Sequence, residues 1–216
     1  MCPRLVAHRE KVARVKRAAF KDWPYWGKPV PPFGDPDARL LIVGLAPAAH
    51  GGNRTGRIFT GDRSGEWLFR ALHRAGFANQ PSSISRDDGL QLTDCFITAA
   101  VRCAPPGNKP TPREFANCQP YLEREIAILK RVRVVVTLGK HATDAFLRAW
   151  QHTGHQVPRP RPKFAHLGEQ PLAPIRLITS YHPSQQNTQT GRLTQEMLDA
   201  VFGRARRILK DSQGGL

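Results

Sequence analysis

Residues 44–62 read GLAPAAHGGNRTGRIFTGD, from Gly44 to Asp62, and lie between an apolar run at residues 40–43 and a segment containing Trp67, Leu68, Ala71, Leu72 and Ala75. The run has the composition of a buried strand and the later apolar spacing that of an amphipathic helix, so the stretch reads as a long strand-to-helix loop. Ligands of open α/β sheets bind where strands end and loops begin, and glycines let the backbone approach a flat or charged ligand. This loop is therefore the expected site.

The same alternation continues on either side. Residues 5–20 carry Leu5, Val6, Val12, Val15, Ala18 and Ala19 among Arg and Lys, a basic amphipathic helix, and residues 22–37 form a Pro- and Gly-dense spacer with Trp23, Tyr25 and Trp26. A first strand is expected over residues 39–43, a helix over 63–75 stopped by Gly76, and a second strand over 95–101. Thr111-Pro112-Arg113-Glu114 combines a cap, a proline at the first helical position and an acid three residues after the cap, which starts a helix running to Lys130. Residues 132–138 are nearly all apolar and β-branched, a third strand buried on both faces; Gly139 opens a helix over 140–150. Residues 151–171 read as a solvated basic excursion, residues 175–180 as a fourth strand, and a last helix ends near Lys210. The expected fold is a three-layer α/β/α sandwich with a four-stranded, mainly parallel sheet. One domain is expected over residues 1–216, with residues 1–37 as lead-in and 38–211 as the α/β core.

Lys and Arg number 33 against 17 Asp and Glu, giving a net charge of +16 and pointing to an anionic partner, nucleic acid first. No apolar segment approaches the roughly 20 residues of a membrane span, and no signal peptide is expected, so the location read from the sequence is the cytosol. In a reducing compartment Cys2, Cys95, Cys103 and Cys118 suit metal binding or plain burial better than disulfides.

Loops leaving the first, second and fourth strands converge on one edge of a parallel sheet. They bring His50, Asn53, Arg54, Arg57, Phe59 and Asp62, then Asn108 and Lys109, then His182, Ser184, Gln186, Asn187 and Arg192. An aromatic face, amides, one imidazole, one carboxylate and several guanidinium groups suit a planar base on a phosphate backbone. Each has a plainer role as well: Asp62 as helix cap, His182 and Asn108 as turn residues, Phe59 as core, and Gln186 with Asn187 as the start of a polar helix.

Three ordered motifs carry a resemblance: GLAPA from Gly44 with NRTGRIFTGD ending at Asp62; CAPPGNK from Cys103 with Cys118; and HPSQQNTQTG from His182 to Gly191. Together they resemble the iron-sulfur uracil-DNA glycosylases, the version being similar to the type-b, or fifth, family. The resemblance implies an enzyme that flips a damaged base, uracil first, out of DNA and hydrolyses its N-glycosidic bond; no Lys is placed by motif as a Schiff-base nucleophile, so a monofunctional enzyme is expected, and a monomer. It implies that His182 hydrogen-bonds the base carbonyl that gains charge and that Asp62 positions water or faces the sugar cation. It places Phe59 on the base, the backbone of Gly44, Leu45 and Ala46 against base and sugar, Asn108 at a base edge, and Arg57, Gln186, Asn187 and Arg192 at the DNA.

Two departures carry expectations of their own. The related type-a family has an Asn on the second strand that reads uracil, where this chain has Thr98-Ala99-Ala100-Val101, so a wider base range including hypoxanthine is expected. The family holds a 4Fe-4S cluster through four cysteines; Cys2, Cys103 and Cys118 match three, and the fourth is expected upstream of Met1, with loss of the cluster or a zinc site as alternatives. Cys95 is set aside as a small buried residue, because a continuous strand at about 3.3 Å per residue would hold it roughly 26 Å from Cys103. Two rivals differ in chemistry: a metal-dependent phosphate-ester or nucleotide hydrolase, for which the motif loops supply only Asp62, and a non-catalytic nucleic-acid-binding module.

Overall fold

A computed structural model describes residues 2–211. Four parallel strands form the centre of its sheet: β2 (Leu40–Gly44), β3 (Cys95–Ala99), β4 (Val134–Leu138) and β6 (Ile175–Ser180). Two antiparallel edge strands complete it, β1 (Phe33–Gly34) beside β3 and β5 (Gly168–Leu172) beside β6, so the order is β1-β3-β2-β4-β6-β5. The sheet therefore has six strands where four were expected. Both additions carry weak strand signals: β1 is two residues within a proline-rich spacer, and β5 reads Gly-Glu-Gln-Pro-Leu, with a proline that only an edge strand tolerates.

The helices are α1 (Pro3–Val15), α2 (Gly52–Thr55), α3 (Arg63–Arg74), α4 (Pro112–Ile128), α5 (Lys140–His152), α6 (Gln185–Gln189) and α7 (Gln195–Asp211). Successive side chains of a strand point to opposite faces, and β2 divides its residues accordingly. Leu40 and Ile42 pack with Leu68, Phe69 and Leu72 of α3 and with Val201 and Phe202 of α7. Leu41 and Val43 pack on the other face with Leu122 of α4 and Phe146, Leu147 and Trp150 of α5. The three-layer arrangement follows. Thr111 and Glu114 form the reciprocal cap at the start of α4 that the sequence indicates. Among the described residues no helix is long and apolar enough to cross a membrane.

The first helix ends at Val15, earlier than the apolar spacing suggests, and residues 18–20 form a separate single turn. This break frees the aromatic residues that follow to fold back over the loop after β2.

Candidate active site

The carboxyl ends of β2, β3, β4 and β6 lie along one sheet edge, with Gly44 beside Ala99 and Leu138 beside Ser180. Phe59 comes back over this edge. Its ring covers Gly44 so closely that a Cβ there would lie 2.8 Å from Cε2 and Cζ. Only glycine leaves that space. Phe59 itself has a φ of +52°, and Gly61 and Gly56 take the same left-handed region at +72° and +77°, so the loop turns sharply to present the ring.

From the other side of the edge, His182 follows β6, and its ring lies 5.9 Å from that of Phe59 with the planes 31° apart. The backbone of Gly139 runs beneath it, where a Cβ would approach the His182 Cβ to 3.3 Å. Asn187 Nδ2 donates to the His182 carbonyl at 2.8 Å, so α6 fixes the turn that carries the imidazole. His182 keeps part of its surface open, yet the surrounding protein strips enough water to push its pKa down to about 4. The ring is neutral at pH 7 and can donate through one nitrogen while accepting at the other.

Asp62 caps α3, accepting from Gly65 N at 2.9 Å. Its carboxylate also presses against Gly51, where a Cβ would lie 2.0 Å from Oδ2. Burial raises its pKa above the ordinary carboxylate value, opposed by the amides of Gly65 and Ser64 and by the Arg54 charge. The cap thus holds a buried carboxylate at the sheet edge.

Arg54 holds the two ends of the loop together: Nε donates to the His50 carbonyl at 2.7 Å and Nη2 to the Gly61 carbonyl at 2.9 Å. Its guanidinium packs on the rings of Phe20 and Trp23, 3.9 and 4.2 Å from their centroids, where the two rings meet edge to face. Tyr25 adds a hydrogen bond to His50 Nδ1 at 2.9 Å, and Trp26 packs over Gly56. The spacer is a brace. Its density of aromatic residues beside an Arg-containing loop was the available sign.

Arg57 requires a correction. Expected at DNA phosphates, it is 4% exposed, and its Nη2 meets both Asp88 oxygens at 2.8 Å while Nε donates to Thr60 Oγ1 at 2.9 Å. It ties the loop to residues 83–88 and has no face toward solvent. Asp88 lies in a stretch that reads as irregular surface, so no sequence pattern announces the pair. Asn108 is exposed at the end of a turn over Pro106–Asn108, with φ +56°. Gln186 is exposed on α6, and Arg192 is exposed with its guanidinium 4.6 Å from the Tyr181 ring centroid. Leu45 accepts from Val101 N at 2.9 Å, and Ala46 packs against the cluster that contains the cysteines.

Cys2, Cys103 and Cys118 line one cavity of about 490 Å³ together with Arg9 and Arg102. Arg9 Nη1 donates to Cys103 Sγ at 3.0 Å, while Arg9 Nε and Arg102 Nη1 are buried without partners. Among the described residues, no three His, Cys, Asp or Glu side chains are gathered as around a single metal ion. Three soft thiols around so large a space leave room for a group bulkier than one zinc ion, beside Arg9 and an Arg102 whose charge is paired with Glu125. Cys95 is enclosed in the opposite core, beside Ile97 and Ala99, with its thiol pushed up by burial. The strand stops at Ala99 and does not continue to Cys103; Cys95 stays apart because its side chain belongs to the other layer.

Residues 31–206 match the family described as the uracil DNA glycosylase superfamily. Over 209 residues the chain is 55% identical to the type-5 uracil-DNA glycosylase of Mycobacterium leprae, covering 96% of this chain and 90% of that one. It is 52% identical over 209 residues to the type-5 enzyme of Thermus thermophilus, covering 96% and 92%. Similarity extends to the type-4 uracil-DNA glycosylase of Sulfurisphaera tokodaii, at 29% over 177 residues, covering 82% of this chain and 72% of that one.

Proposed function

Since the chain belongs to the uracil DNA glycosylase superfamily, we propose that it is a monofunctional uracil-DNA glycosylase, hydrolysing the bond between uracil and deoxyribose and leaving an abasic site. The reading is carried by the meeting of Phe59 and His182 above Gly44 at the carboxyl edge of the sheet, with Asp62 anchored at the start of α3.

As the glycosidic bond breaks, the base gains negative charge and the sugar becomes cation-like, so a catalyst must favour both. Phe59 stacks on the flipped base from the Gly44 side. Neutral His182 donates its N–H to the base oxygen on which charge develops; an imidazole already stripped of water makes that bond stronger than it would be in solution. Asp62, ionised, orients the attacking water and faces the sugar cation, and two backbone amides hold the carboxylate in place while it does so. Gly44, Leu45 and Ala46 form the wall against base and sugar. Asn108 reads a base edge, and Gln186, Asn187 and Arg192 lie along the strand, with Asn187 also fixing His182. Lacking a hydrogen-bonding amide on β3, the pocket accepts other deaminated bases, hypoxanthine among them.

Cys2, Cys103 and Cys118 would supply three ligands for a 4Fe-4S cluster, with Arg9, which donates to Cys103 Sγ, offsetting its charge. When bound, the cluster supplies a covalent clasp between the start of α1 and the segment from Cys103 to Cys118. The whole chain acts as one unit, a monomer working on DNA in the cytosol or nucleoid.

The test is incubation with a uracil-containing duplex without added metal, scored for alkali-labile abasic sites. Abasic sites support the reading. Strand breaks that need magnesium, or retention of DNA without product, overturn it.

A further inference from the structure

From Ala145 to Gly168 the chain contains no acidic residue, and its most basic part, Arg159-Pro160-Arg161-Pro162-Lys163-Phe164, leads toward the edge strand β5. The exposed residues alternate with partly covered ones: Arg161, Lys163 and Ala165 are exposed, while Pro162, Phe164 and His166 are partly buried. From residue 161 this two-residue periodicity presents Arg161 and Lys163 on one side and docks the other, and Arg159, before it, is exposed as well. Docking is specific. The Phe164 and His166 rings lie 6.0 and 5.2 Å from Tyr181, Tyr181 N donates to His166 Nδ1 at 3.3 Å, and Thr179 Oγ1 donates to the Ala165 carbonyl at 2.5 Å. Tyr181 immediately precedes His182, and Arg192 sits on the same ring. Arg161 is steadied by Gln151 at 3.1 Å.

We infer that Arg159, Arg161 and Lys163 form a phosphate-binding rail that grips the DNA backbone beside the flipped base. The inference rests on the glycosylase reading and extends it to a segment outside the three motifs. Prolines at 160 and 162 stiffen the rail before DNA arrives, which lowers the ordering cost of each contact. Tyr181 joins this row to Arg192, so the cations and His182 address one bound strand. The segment specifies position and not sequence, because its groups are point charges and planar cations suited to phosphate oxygens.

The experiment measures duplex affinity as a function of salt for the full chain and for two variants with equal charge loss. One is Arg159→Gln/Arg161→Gln/Lys163→Gln; the other, Lys130→Gln/Arg131→Gln/Arg133→Gln, removes exposed cations at the amino end of β4. Each lost phosphate contact flattens the slope of log affinity against log salt by about 0.9, so the rail variant should lose up to about 2.7. The other variant should keep the wild-type slope, as should Arg159→Lys/Arg161→Lys. Equal effects in the two triple variants, or a rail variant that binds like wild type, overturn the rail while uracil release by the unsubstituted chain upholds the enzyme. An unsubstituted chain that neither binds duplex nor releases uracil overturns the glycosylase reading itself.

Discussion

The rings of Phe59 and His182 lie 5.9 Å apart although one follows β2 and the other β6, with β4 between those strands. What allows this is the absence of a side chain at Gly44. A methyl there would sit 2.8 Å from the Phe59 ring, closer than carbon atoms pack, and the ring would have to move. Gly44→Ala should therefore lower single-turnover uracil release by about tenfold or more, a barrier change of about 1.4 kcal/mol. Phe59→Leu should do the same, and the double variant should lose little beyond either single one, since both remove the same stacking surface. A wild-type rate in Gly44→Ala would show that the ring's position is immaterial.

Asp62 allows its two roles to be separated. Asn caps a helix about as well as Asp, whereas Ala does not. Asp62→Asn should melt at or above the wild-type temperature, because a carboxylate penalised by burial is replaced by a neutral group, but should lose at least about a hundredfold in uracil release. Asp62→Ala should lose activity similarly and also about 1 kcal/mol of stability. Comparing melting curves with rates decides it: if Asp62→Asn remains fully active, the side chain is a cap alone.

The two titrating groups act in different pH ranges. In the proposed reaction Asp62 acts ionised, and its pKa is raised by burial, so activity should fall on the acid side above the ordinary carboxylate range of about 4. His182 is held down to about 4, so the fall above that range is assigned to Asp62. The sign for stability is opposite in the two cases. Below its ordinary value near 6.5, neutral His182 forgoes a proton that the unfolded chain takes up, so it lowers stability as pH falls toward 4. Asp62 penalises the folded state above its raised value, and that penalty is relieved by acid. A pH–rate profile of His182→Gln that keeps the wild-type acid limb supports this assignment; disappearance of the limb would transfer it to His182.

The parallel centre of the sheet was legible because β2, β3 and β4 are apolar apart from a Thr in β3 and β4, and β6, though it carries Arg176, Thr179 and Ser180, keeps Ile175, Leu177 and Ile178, the composition of strands covered on both faces. The edge strands were not, since β1 and β5 depend on backbone pairing and little on side chains. Asp62 as a cap could be read from its place before an amphipathic segment. The packing of Phe59 on Gly44 could not, because nothing local indicates that a ring will return to the glycine ending the preceding strand. The three cysteines could be gathered by motif, whereas Arg9 and Arg102 beside them join from a helix face and a turn without any distinguishing pattern.

Arg57 shows how residue type can mislead. An arginine in a glycine-rich loop of a basic chain suggests phosphate, yet its guanidinium is spent on Asp88, Ser83, Thr60 and the Arg86 carbonyl. Removing one partner of such a buried pair strands the other charge, so Arg57→Ala should cost about 3 kcal/mol or more of stability. Its salt dependence of DNA binding should match wild type at a temperature where both are folded. A flatter slope in Arg57→Ala would restore the phosphate contact.

In the proposed reaction the range of bases depends on β3. Ala99 pairs in register with Gly44 and shares a core face with Phe59, so the side chain at this position borders the surface on which the base stacks. Rejecting a wrong base requires polar groups that it would leave unpaired, and an alanine supplies none. The chain should release hypoxanthine as well as uracil from duplexes, each measured by abasic-site formation. Ala99→Asn adds a donor and an acceptor at the pocket wall and should shift preference toward uracil by about tenfold, the effect of one differential hydrogen bond of about 1.4 kcal/mol. Thr98 beside it takes no part, since its hydroxyl donates to Glu125 Oε2 at 2.7 Å on the opposite face of the sheet. Release of uracil with no hypoxanthine from the unsubstituted chain would mean that groups other than β3 enforce the choice, with Asn108 the first to substitute.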